Sequence, residues 1–176
     1  MDLGLADARV LITGGASNIG RGIVHAFAAE GSRIVLSDID HDQAERVGQE
    51  ALDRGAADVE VVVGDLTAEG EAQRAADRAV EAWDGIDVLV NNAGWSVPGF
   101  IAKNTDRANW QKTVEVNFFT AIAATQAVLA PMREQGQGSI VCIASESAFG
   151  QIRQGVYGAT KAAVVALART TAREHG

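Results

Sequence analysis

Along the chain, short apolar runs rich in β-branched residues alternate with longer stretches whose apolar positions recur every three or four residues. The runs ARVLIT (8–13), SRIVLSD (32–38), DVEVVVGD (58–65), IDVLVNN (86–92) and GSIVCIAS (138–145) read as strands buried on both faces of a parallel sheet. Between them the helical period holds over 18–30, 41–54, 67–83, 106–134 and from 154 to the end. Gly31 follows the first helix, Thr67 and Asp106 stand where they can cap the third and fourth, and Gly136 and Gly138 close off the fourth. Strand–helix–strand units repeated with right-handed crossovers predict an α/β fold, a doubly wound parallel sheet in three α/β/α layers. No repeat, low-complexity tract or linker interrupts the alternation, so residues 1–176 are expected to form one domain. Only AGWSVPGFIAKNT (93–105), broken by Gly94, Pro98 and Gly99, reads as an extended loop; it follows the carboxyl end of a strand, where such sheets bind ligands.

Composition narrows the classes. Hydrophobic residues make up 47% of the chain, enough for a substantial core, and the formal net charge is −8 with acidic residues spread throughout. That charge argues against a nucleic-acid surface and against an anionic membrane as partner. The start, MDLGLADARV, has no basic region followed by a long apolar run, and no later segment reads as a span of roughly 18 apolar residues, so a cytoplasmic location is expected. The single cysteine, Cys142, cannot form an internal disulfide and reads as a small core residue. His25, His41 and His175 show no ligand spacing, and no metal site is expected.

Two local patterns carry chemistry. TGGASNIG (13–20) falls between the first strand and first helix, where glycines let the backbone approach a pyrophosphate and the helix N-terminus offers free N–H groups. Asp38 ends the second strand eighteen residues after Gly20, near the spacing of a carboxylate that binds an adenosine ribose. It would also repel a 2′-phosphate, with Asp40 and Asp42 adding to the field, so NAD is expected over NADP. The second pattern is GVYGATKAAV (155–164), which sets Tyr157, the sole tyrosine, and Lys161 one helical turn apart on one face. A cation beside a phenol favours its ionised form and suits it to proton transfer. A tyrosine and lysine at this spacing is by itself more often a surface coincidence.

The ordered motifs TGGASNIG, GDLT, NNAG, VEVN, IVCIAS and YGATK together resemble the short-chain dehydrogenase/reductase family over residues 8–176. The resemblance implies a Rossmann-like fold and an NAD(P)-dependent oxidoreductase that moves hydride between nicotinamide and a secondary alcohol or ketone. It implies a catalytic set of Asn117, Ser145, Tyr157 and Lys161. Tyr157 would exchange the proton, Ser145 bind the same substrate oxygen, Lys161 assist Tyr157 and hold ribose hydroxyls, and Asn117 retain a relay water. The cofactor would lie along Gly14, Ser17, Asn18, Ile19, Gly20, Asp38, Asp65, Leu66, Asn92, Ala93 and Gly94, with Tyr157 and Lys161 at its reactive end. Asp65 would sit beside the adenine, and Asn91 would steady the central strand. Asn18 departs from the family's more usual glycine, but asparagine accepts unusual backbone angles and the loop is expected to survive. Ser145 precedes Tyr157 by twelve residues, one fewer than the family's usual interval, which implies a shortened loop between them.

The resemblance further implies two more strands and a substrate lid after the helix that bears Tyr157, and the chain stops before them. The fold is therefore expected to lack its last strands, leaving 138–145 as a sheet edge. The alternative to an enzyme is a truncated, non-catalytic remnant that binds dinucleotide or a partner subunit only. The small-residue helices 106–134 and 154–176 are expected to form a homodimer or homotetramer contact, and Trp95, Val97 and Phe100 to line a substrate entrance. The pattern is also similar to the branches that act on 2-hydroxycyclohexanecarboxyl-CoA and on 3-oxoacyl thioesters.

Overall fold

Five parallel strands alternate with helices in a computed structural model that describes residues 3–176. The order along the chain is β1 (Arg9–Thr13), α1 (Asn18–Ala29), β2 (Arg33–Asp38), α2 (His41–Asp53), β3 (Asp58–Val63), α3 (Glu71–Trp83) and β4 (Val88–Asn91). There follow α4 (Arg107–Val114), a π-helical turn (Glu115–Phe119), α5 (Thr120–Glu134), β5 (Ser139–Cys142), a 3₁₀ turn (Glu146–Phe149) and α6 (Gly155–His175). The sheet runs β3-β2-β1-β4-β5, so the order reverses between β1 and β4 and β5 is an edge. This is the doubly wound Rossmann-like sheet that the alternation predicts.

Successive residues of a strand point to opposite faces, and over β1, β2 and β4 both faces are covered, which is why these strands read as continuous apolar runs. Leu11, Val35, Val62 and Leu89 face α3 and α5, with Ala75, Ala79, Ala124 and Val128 opposite them. Val10, Ile12, Ile34, Leu36 and Val90 face α1 and α2, with Val24, Ala28, Val47 and Ala51. Alanines on the helices let them approach the sheet closely. Each fully buried Leu or Ile contributes roughly 1.5–3 kcal/mol of transfer free energy.

Element ends differ from the sequence expectations in instructive ways. Asp106 does cap α4, accepting from the N–H groups of Ala108 and Asn109. Thr67 does not cap the third helix, which starts at Glu71 behind Gly70 in the left-handed region (φ +84°). Its N–H and hydroxyl instead donate to Asp65 at 2.9 and 2.7 Å, so a local turn competes for the chain that periodicity assigned to helix. The span 106–134 is continuous but contains one π turn. By length and composition that span would suffice to cross a membrane, contrary to the sequence reading. Its buried positions, however, are spent on the core. The fifth strand ends at Cys142, so Ser145 lies beyond it rather than within it.

Cys142 is half-buried on edge strand β5 and not enclosed in the core. It lines a cavity of about 510 Å³ between α5, β5 and α6, with Thr125, Leu129, Ile140 and Leu167. Burial pushes its thiol pKa up. On the other face of β5, Val141 is exposed.

Candidate active site

The glycine-rich turn is held by its neighbours rather than by itself. Gly14 N donates to Ser37 O at 2.7 Å, and the Asn92 side-chain amide donates to Thr13 O at 3.1 Å and Gly14 O at 2.8 Å. Thr13, which the sequence reading left without a role, accepts through its hydroxyl from the N–H groups of Asn92 (3.0 Å) and Ala93 (3.1 Å). Its place at the end of β1 was the available signal. The packing leaves no room for side chains: a Cβ on Gly20 would fall 1.9 Å from Gly14 O, and one on Gly14 2.8 Å from Ala93 Cα. Asn18 adopts φ +46°, the left-handed conformation for which asparagine is tolerated, and the loop keeps its shape.

At the start of α1, Ser17 occupies the N-cap without a side-chain capping bond, and the first turn has no acidic residue. Its leading N–H groups therefore point out with the positive end of the helix dipole behind them. Ile19 is exposed beside them. Asp38 lies at the end of β2 and accepts from Ala16 N at 2.9 Å and from Asp40 N at 3.1 Å, so it braces the turn as well as facing it. Asp65 and Leu66 follow β3, and the Thr67 hydroxyl lowers the Asp65 pKa, with a smaller contribution from Lys112.

The second group gathers where the loop after β4 meets the π turn and α6. A Cβ on Gly94 would lie 3.0 Å from Asn117 Oδ1 and 3.7 Å from Lys161 Nζ, which brings three distant segments to one point. Asn117 is buried in the π turn. Its amide donates to Trp95 O (2.6 Å) and Thr113 O (2.8 Å), and its oxygen accepts from Trp95 N at 3.2 Å. A π turn frees backbone groups from the regular ladder, and here side-chain bonds to a neighbouring loop hold it open. Asn91 points away from this point, donating to Thr125 Oγ1 at 3.0 Å and weakly to Cys142 Sγ.

Lys161 is only 4% exposed, and its ammonium donates to Ile143 O at 2.8 Å. Burial pulls its pKa down from the usual lysine value. The ammonium lies 5.7 Å from the centre of the Tyr157 ring, as one-turn spacing on α6 requires. Ser145 is the N-cap of the 3₁₀ turn, its oxygen accepting from Ser147 N at 3.2 Å. Neither the Ser145 nor the Tyr157 hydroxyl donates to a described protein atom. The structure thus brings Asn117, Tyr157, Lys161 and Gly94 together, with Ser145 two residues beyond the carbonyl that holds Lys161. Trp95, expected at the entrance, lies under the Lys112 ammonium, 4.6 Å from its ring centre.

With this geometry in hand, comparison with known proteins gives concordant results. A family model described as short chain dehydrogenase matches residues 8–176. The 3-alpha-(or 20-beta)-hydroxysteroid dehydrogenase of Mycobacterium tuberculosis is 37% identical over 167 residues, 94% of this chain and 62% of that protein. A hydroxy(phenyl)methylsuccinyl-CoA dehydrogenase subunit of Thauera aromatica is 34% identical over 174 residues, 99% of this chain and 69% of its own length. Among solved structures, a 7 alpha-hydroxysteroid dehydrogenase complexed with NADH and 7-oxo glycochenodeoxycholic acid superposes with a TM-score of 0.91 at 32% identity, over 98% of this chain and 67% of that one. The chain therefore spans about three-fifths of the length of the first of these relatives.

Proposed function

The chain belongs to the short-chain dehydrogenase family, and from that membership we propose that it is the nucleotide-binding and catalytic part of an NAD-dependent oxidoreductase acting on a secondary alcohol or ketone. The observation that carries the proposal is the convergence of Gly94, Asn117 and the buried Lys161 ammonium beneath the ring of Tyr157. The residues fit a dinucleotide: an uncapped helix N-terminus free of acidic side chains stands beside glycines packed too tightly for a Cβ, with Asp38 across from it. Gly14, Ser17, Asn18, Ile19 and Gly20 would hold the pyrophosphate end, Asp38 the adenosine ribose, and Asp65 and Leu66 the adenine side. Asn92, Ala93, Gly94, Tyr157 and Lys161 would hold the reactive end. When bound, the nicotinamide supplies the hydride donor or acceptor.

The chain's own residues supply position and proton control. The Tyr157 hydroxyl gives its proton to, or takes one from, the substrate oxygen, acting as general acid or base. The Ser145 hydroxyl donates to the same oxygen and stabilises the charge that develops there. Lys161, anchored by Ile143 O, keeps a positive charge one turn from Tyr157. Asn117 holds the π turn open and fixes the loop that carries Gly94. The carboxylates Asp38, Asp40 and Asp42 favour NAD by repelling a 2′-phosphate. We place subunit contacts of a homodimer or homotetramer on the helices 106–134 and 154–176, the first of which exposes Phe119.

Calorimetric titration of the 176-residue chain with NADH and NADPH tests the cofactor. Saturable binding that prefers NADH is expected; equal binding removes the role given to Asp38. Turnover of a panel of secondary alcohols is expected to fall at least about a hundredfold in Tyr157→Phe. NADH binding with no turnover, or turnover indifferent to the hydroxyl, would favour a non-catalytic dinucleotide-binding remnant.

A further inference from the structure

Beside Tyr157 the loop after β4 and the loop before α6 are lashed together. Gly99 and Gln154 form a parallel bridge, Gly99 N donates to Arg153 O at 2.8 Å, and Ser96 Oγ donates to Gln154 Oε1 at 2.9 Å. A Cβ on Gly155 would meet Ile101 Cδ1 at 3.1 Å. The joined loops carry Phe100, Ile101, Phe149 and Ile152 at 54%, 69%, 91% and 80% exposure. Large apolar side chains exposed on adjoining loops mark a binding surface more than a folding requirement. Phe149 and Ile152 lie on the segment between Ser145 and Tyr157, so this rim borders the proposed reaction site.

Arg153 stands in the rim, four residues before Tyr157 and ahead of the first turn of α6, and lines a small cavity with Val97, Val156 and Tyr157 itself. It adopts φ +70°, a conformation that disfavours a long side chain and that recurs where function holds the backbone. Its guanidinium lies 5.8 Å from the Phe100 ring centre and has no acidic partner among the described residues. In a chain of net charge −8, a cation left unpaired on an apolar surface is a local site for an anion.

Resting on the oxidoreductase proposal, we infer that the substrate is a bulky apolar alcohol or ketone bearing a carboxylate: Phe100, Ile101, Phe149 and Ile152 receive its apolar body and Arg153 binds its carboxylate. Arg153 is then a specificity-determining residue with no part in proton transfer.

The test titrates a tetralone carboxylate and the matching carboxamide into the 176-residue chain with NADH present, for the native sequence, Arg153→Asn and Arg153→Lys. Asparagine removes the charge while tolerating the left-handed backbone, and lysine keeps the charge. The carboxylate is expected to bind about tenfold or more tighter than the amide. That ratio should collapse toward one in Arg153→Asn and persist in large part in Arg153→Lys. No preference in the native chain, a ratio unchanged in Arg153→Asn, or no binding of either probe overturns the inference. Binding is read without turnover, so a charge preference found alongside turnover indifferent to Tyr157→Phe would sink only the oxidoreductase proposal.

Discussion

The Lys161 ammonium donates to the carbonyl oxygen of Ile143 at 2.8 Å, joining α6 to the segment that leaves the sheet edge at β5. Because burial lowers the Lys161 pKa, the folded state binds that proton less tightly than the unfolded chain does, and holding the charge costs stability. The cost is fully present below the folded pKa and fades as pH rises from there to the unfolded value of 10.5. Native protein is therefore expected to gain stability relative to Lys161→Met across that alkaline window, measured as the difference between their urea midpoints. A difference that stays flat with pH would show that Lys161 is not desolvated as described.

Asn18 pays for a left-handed backbone at φ +46°. Asn18→Gly is expected to leave thermal stability equal or raised by up to about 1 kcal/mol, and Asn18→Val to lower it by roughly 1–2 kcal/mol. Equal melting temperatures for the glycine and valine variants would contradict the loop geometry.

Gly20→Ala would place a methyl 1.9 Å from Gly14 O and 2.6 Å from Asn92 Nδ2. The neighbours are backbone and an amide already committed to that backbone, so the turn itself must shift. A loss of about 1–3 kcal/mol in chemical denaturation is expected, with weakened NADH binding. Gly22→Ala, where a Cβ meets nothing within 4 Å, is the control and should be neutral or slightly stabilising.

Arg9 binds Asp87 through two nitrogens at 2.8 and 2.6 Å and also reaches Asp84 O, so it fastens β1 to the end of α3 and the start of β4. The hydrogen bond from Arg9 holds the Asp87 pKa below its usual value of 3.8. The stability this gives is present above 3.8 and lost as pH falls through the lowered folded pKa. Asp87→Asn is expected to cost about 1–3 kcal/mol at neutral pH and to match native protein more closely in strong acid. An equal gap at both extremes would contradict the ion pair.

Strand positions were readable because all five carry short β-branched runs, continuous where β1, β2 and β4 are buried on both faces, and all five observed strands fall inside the expected segments. Helix starts at 18, 41, 106 and 154 were readable to within a residue, with or without a capping bond, whereas the third helix starts late because Thr67 is captured by Asp65. The π turn was not readable, since it is held by bonds between Asn117 and Trp95, twenty-two residues apart. The same limit applied to Asn92, expected along the cofactor but whose amide grips the glycine turn, and to Asp38, whose oxygens also receive two backbone N–H groups. The spacing of Tyr157 and Lys161 was legible; that Lys161 is buried against Ile143 depends on where β5 ends.

The π turn also sets the phase of the helical rod 107–134. One extra residue in a turn rotates everything after it by about 100°. The first half of the rod can thus lay its side chains on α6 and the second half on α3 and β4, without a break in the chain. Regular α geometry imposed on the same sequence would swing one half's apolar stripe into solvent, whereas a single-residue deletion within 115–119 would close the turn with both halves still on the faces they now cover. The π turn is therefore the point at which this rod can lose a residue and keep its packing faces, at the expense of the bonds that Asn117 makes to Trp95.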